Sequence, residues 1–196
     1  MIRFSCPSRF ASRWVFLGLA LITLLARPVP ALAQDAVSKE TAAAVKAAFL
    51  ADLETMRGKF VGLAQAFPQE KYTWRPMEGV RSVAEVLMLL AFEGYSFAPG
   101  AFGGKPADLG PKEEAAKLRT LSDKTAVIDH LNKGFAHAKA QIEAIDPATL
   151  TTKRKMMGRE LTVVEAAAFV GGDMHEHLGQ LIAYARMNQI VPPWSK

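Results

Sequence analysis

Apolar side chains stand at Phe49, Leu53, Met56, Phe60, Leu63 and Phe67, with steps that alternate between four residues and three. Lys46 stands just before them, and Asp52, Glu54, Arg57 and Lys59 fall between them. That period winds an apolar stripe down one side of an α-helix and leaves the charge on the other. It predicts an amphipathic helix over 36–67, stopped by Pro68. The stretch "PQEKYTWRPMEGVR", punctuated by proline and glycine, reads as a loop. Ser82 followed by Glu85 forms a capping box that opens a second helix. Its body, "VAEVLMLLAFEGYSF", is apolar almost all round, as in a helix buried on several sides.

Residues 98–111 are rich in glycine and proline and predict a loop, with a short helix from Lys112 to Leu118 closing the connection. Ser122 is the expected cap of a third helix, whose stripe is Ile128, Leu131, Phe135, Ala138, Ile142 and Ile145. Asp146 and Pro147 end it. "TTKRKMMGRE" reads as a polar connector with room for a short extended piece. Thr162 and Glu165 make a second capping box and open a fourth helix running to about Met187, before Val191-Pro192-Pro193. Four long helices without a convincing strand predict an all-α fold, a four-helix bundle. The longest connection lies between helices two and three, which leaves room for a crossover.

Composition changes the picture at the N-terminus. Arg3, Arg9 and Arg13 precede an apolar run from Trp14 to Ala26, and Ala31-Leu32-Ala33 follows. Basic residues, a short apolar core and a small-residue site predict a secretory signal peptide over 1–33, cleaved to leave one domain over 34–196. The apolar run is too short for a membrane span. Four of the 24 Lys and Arg residues lie in 1–33, so 20 remain against 19 Asp and Glu. A nearly neutral domain has no electrostatic footprint for nucleic acid. The single cysteine, Cys6, leaves with the signal, so the mature domain has neither disulfide nor thiolate. The expected destination is the periplasm or the exterior, with no stable membrane span.

Candidate chemistry gathers in "GGDMHEHLGQLIAYARMNQIVPP". Asp173 and His177 stand four apart on one helix face, with Gln180 and Tyr184 further along it. Two side chains so spaced can grip one divalent ion, and a catalytic site needs a third ligand from another helix. His175 points elsewhere. His130 and His137 flank seam residues and are expected at the surface, outside any ligand set. Tyr72 and Trp74 are expected to plug the bundle end. Arg75 and Arg81 flank their loop as structural clamps or an anion site. No nucleophile elbow, phosphate loop or dinucleotide fingerprint appears.

The ending "HEHLGQLIAYARMNQIVPP", together with "YTWRPMEGVRSVAEVLMLLA", resembles the DinB-like family of four-helix-bundle proteins across essentially the whole mature chain. The resemblance implies a histidine triad holding a divalent metal, and in some relatives a hydrolase or a transferase that uses low-molecular-weight thiols. It also implies a homodimer paired through bundle helices. Carried over, the triad's helix-four pair falls on Asp173 and His177, and its helix-two position falls on Leu89. Glu93, one turn beyond Leu89, shares its face and can replace it. Glu93, Asp173 and His177 would then hold one divalent metal, Zn, Mn, Fe or Ni. The competing expectation is a bundle that has lost its metal and binds a small molecule or a protein without catalysis.

Overall fold

The computed structural model describes residues 37–195, so the expected signal peptide and its cleavage site lie outside the described residues. Helix α1 spans Lys39–Ala66, and the Ser38 hydroxyl accepts a hydrogen bond from the Thr41 amide at 3.1 Å. Its expected stripe, from Phe49 to Phe67, is buried throughout. Helix α2 spans Val83–Phe92 with the capping box in place, Ser82 donating to Glu85 Oε2 at 2.6 Å. Its next two amides, Val83 and Ala84, donate back to the carbonyls of Trp74 and Tyr72. The loop thus satisfies donors that a helix start leaves open. Tyr72 is wholly buried and its hydroxyl donates to the Ala64 carbonyl at 2.7 Å. Half-buried Trp74 packs edge-on against Tyr184, so both aromatics close the bundle end.

The loop expected from residue 98 begins later. Helix α2 runs on through a π-helical turn, Glu93–Phe97, into helix α3, Ala98–Phe102. Pro99 reads as a breaker, because in an α-helix its ring would strike the carbonyl four residues back. The wider turn, in which the Ala98 amide donates to the Glu93 carbonyl, makes room for it. The Tyr95 carbonyl that Pro99 cannot serve accepts from Ala107 at 2.7 Å instead. Gly103, at φ 86°, ends the helix in the left-handed region.

Helix α4 is Lys112–Leu118 and helix α5 is Lys124–Glu143. The cap of α5 is Asp123 rather than Ser122: Asp123 Oδ1 accepts from the Ala126 amide at 2.9 Å. The polar connector closes as a small antiparallel hairpin, β1 Arg154–Met156 and β2 Arg159–Leu161. Met157 and Gly158 turn it with φ of 48° and 77°, the pattern of a type I′ turn. Helix α6, Val163–Met187, carries the second capping box.

In the bundle α1 packs on α5 and α6, and α2 packs on the same two helices. Helices α1 and α2 therefore stand at opposite corners, as do α5 and α6. Two lysines clasp α1 and α5 in antiparallel order. Lys46, early in α1, donates to the carbonyls of Glu143 and Ile145, while Lys124, opening α5, donates to those of Gln65 and Phe67. Each cation covers carbonyls that the other helix leaves open at its C-terminus. Helices α2 and α5 meet backbone to backbone: a Cβ on Gly94 would lie 2.5 Å from the Gly134 carbonyl carbon, and one on Gly134 would lie 2.4 Å from the Ala91 oxygen. That contact sits one residue from Glu93 and draws the π-helical turn into the bundle. Among the described residues no helix is long and apolar enough to cross a membrane.

Candidate metal centre

Glu93 opens the π-helical turn, and Asp173 and His177 project from the facing side of α6. One ligand atom from each lies within 4.8 Å of the other two, and Asp173 Oδ1 stands 3.9 Å from His177 Nε2. Tetrahedral ligands on a zinc ion sit about 3.4 Å apart, so at its widest the set must close by on the order of an ångström. Leu89 stays outside it, half-buried on the wall of the cleft that contains Glu93 and Asp173. π-Helical turns recur at functional sites because they re-aim one side chain without ending the helix.

The imidazole of His177 is held by a chain of hydrogen bonds. Tyr184 donates its hydroxyl proton to the Arg81 carbonyl at 3.0 Å, which leaves its oxygen to accept from Gln180 Nε2 at 2.8 Å. Gln180 therefore presents Oε1 to His177 Nδ1, 3.0 Å away. An amide oxygen only accepts, so Nδ1 carries the ring proton and Nε2 turns a lone pair toward Asp173. Fixing the far nitrogen of a ligand histidine in this way orients the ring for a metal.

The carboxyl groups tell a matching story. Burial pushes the Glu93 carboxyl up to about 8, the charge of Asp173 and a hydrogen bond shared with it add to the rise, and Arg81 offsets a part. Apart from the bond the two acids share, Glu93 Oε2 and Asp173 Oδ2 are buried without a hydrogen-bond donor from any other described residue. A buried carboxylate oxygen without a donor is costly. A divalent cation between the two acids would relieve both, and one nitrogen with two carboxylates suits Zn, Mn, Fe or Ni. The donor set fits a metal.

A model of the DinB superfamily matches residues 52–181, a span that includes all three side chains. The chain belongs to the DinB superfamily. No curated protein matches it. DinB proteins are a metal-associated family, and this chain brings Glu93 and Asp173 together around a single histidine, His177, with Leu89 outside the set.

Other sequence candidates fall elsewhere. His175 faces away, its Nε2 bonded to Asp52 of α1 at 3.1 and 3.2 Å. His130 and His137 are half-buried rather than fully at the surface, and both are engaged, His130 Nδ1 with the Tyr95 hydroxyl and His137 Nε2 with the Lys105 carbonyl. Arg75 is a clamp, bonded to the Val80 carbonyl and to Glu85. Missing from the sequence reading is the aromatic rim of the cleft, where Phe97 meets Phe169 edge-on at 5.9 Å. Phe169 lies four residues before Asp173, so the ligand spacing extended one turn back would have found it. Arg119, stacked over Phe92 at 4.3 Å, comes from the end of α4 and has no local signal.

Proposed function

We propose that this DinB protein is an exported, divalent-metal-dependent enzyme, a hydrolase or a thiol-dependent transferase, with Glu93, Asp173 and His177 as its ligands. The observation that carries this reading is the pair of buried oxygens on Glu93 and Asp173, with no donor from any other described residue, beside the Nε2 lone pair of His177. A divalent cation held there would supply Lewis acidity toward a carbonyl, phosphoryl or sulfur centre. His177 is held in one tautomer by Gln180, and Tyr184 holds Gln180. Phe92, Phe97 and Phe169 around the cleft would limit water at the acids. Export rests on the signal-like N-terminus, and we propose from the family resemblance that the protein is also a homodimer.

Elemental analysis tests the metal. Protein purified without chelator and titrated with zinc, manganese, iron and nickel is expected to hold one ion per chain, lost in His177→Ala and in Glu93→Ala. A protein that takes up no ion, or keeps it in both variants, overturns the reading. In the empty case the apolar Leu89 on the cleft wall favours the second reading, a binding module without catalysis. N-terminal sequencing of exported protein is expected to begin at Gln34, and light scattering to give twice the chain mass.

A further inference from the structure

Two clefts meet on the outer side of α2. The first, about 310 Å³, contains Glu93 and Asp173 and is walled by Phe92, Phe97 and Phe169. The second, about 360 Å³, is lined by Arg75, Arg81 and Arg119, with Glu85 as its acid. Leu89, Phe92 and Arg119 border both, so the two adjoin as one groove, aromatic around the two acids in one half and basic in the other. Their joint size is that of a small-molecule site.

The charges in the basic half do not cancel. Glu85 is committed to Arg75 and to the Ser82 amide. The side chains of Arg81 and Arg119 have no hydrogen bond or ion pair among the described residues, although the charge of Arg81 is felt at Glu93 and Arg119 stacks on Phe92. A guanidinium lying on a ring keeps its N–H edge directed outward, suited to an oxyanion. Arg81 is fixed in place by its own backbone. Its carbonyl accepts from Tyr184 at the end of the chain that holds His177, and Ser82, the next residue, caps α2. The anion-binding end is therefore built into the same scaffold as the three candidate ligands.

We infer that this groove binds an amphipathic anion, its oxyanion on Arg81 and Arg119 and its apolar body laid along Phe92, Phe97 and Phe169 toward Glu93 and Asp173. Leu89, on the family's ligand position, serves as the apolar floor between the two halves. The inference deepens the proposed function, resting on it only for any reaction at the three ligands, since apart from Glu93 and Asp173 the groove is formed by side chains outside the candidate ligand set.

Paired dyes test it. Anilinonaphthalene sulfonate carries a fixed anion on an aromatic body, and phenylnaphthylamine is the same body without charge. Fluorescence titrations of the purified protein, with and without zinc, are expected to show the sulfonate binding at least roughly tenfold more tightly, the yield of one charge-assisted contact. Arg81→Ala with Arg119→Ala is expected to abolish that preference and leave the neutral dye unchanged. The corresponding double lysine variant is expected to keep part of it. Phe169→Ser is expected to weaken both dyes. Equal affinity for the two dyes, or a preference that survives loss of both arginines, overturns the inference. Zinc content measured on the same samples separates the two questions: an empty protein that still discriminates between the dyes sinks the metal reading and leaves the groove standing.

Discussion

Burial and the neighbouring Asp173 push the Glu93 carboxyl up, so a cation bound there would compete with a proton and give the site a pH signature of definite sign. The carboxyl titrates near 4.5 in an unfolded chain and near 8 here. Its neutral form is therefore favoured by folding. The stability it contributes to the metal-free protein is full below about 4.5 and is lost as pH rises through about 8. Calorimetry is expected to show the metal-free midpoint falling across that window, and Glu93→Gln to remove this part of the fall. Zinc affinity is expected to run the other way, rising with pH to about 8 and then levelling, as the proton ceases to compete. Tyr184→Phe tests the chain behind His177. Without the hydroxyl Gln180 is free to turn, and zinc affinity is expected to drop by roughly 10–100-fold with helicity unchanged. Of these residues, Asp173 and His177 were legible from their spacing, and Glu93 from its turn beyond Leu89. The tautomer was not, because it depends on the Arg81 carbonyl, which the fold brings from far along the chain.

At the scale of elements, the site depends on how closely α2 approaches α5. The atoms facing a Cβ at Gly134 belong to the Ala91 backbone, which cannot swing aside. Gly134→Ala is therefore expected to cost about 1–3 kcal/mol in urea unfolding. It is also expected to weaken zinc binding although Gly134 touches no candidate ligand, because Glu93 lies on the displaced turn. Gly172→Ala is the contrast. Nothing lies within 4 Å of its added carbon, so helix propensity alone predicts a gain of about 0.5–1 kcal/mol. The capping boxes and apolar stripes were legible because their chemistry is local, within one or two turns. The π-helical turn and the hairpin were not. Pro99 advertises a break that a wider turn avoids, and Met157 adopts a positive φ that its side chain does not announce.

At the scale of the whole molecule, the sequence carries the number of long helices but not their order around the bundle. Each stripe shows that a partner is needed, and it does not say which one. Here the answer runs against chain order: α1 and α2 are consecutive long helices at opposite corners, and so are α5 and α6. Most packing must then wait for distant segments to meet, which favours slow, concerted folding over stepwise hairpin growth. The Lys46 and Lys124 clasp joins two such distant segments.

That corner arrangement also makes the 104–111 loop a natural place to divide the protein. A break there would leave α1, α2 and α3 in one fragment and α4, α5 and α6 in the other, with neither pair of long helices able to bury its stripes alone. Each fragment is expected to be unstructured by circular dichroism, and the mixture to regain helix. Glu93 would travel with one fragment and Asp173 and His177 with the other, so zinc is expected to tighten their reunion. The fold would then work as a two-part sensor, assembled by the ion it detects.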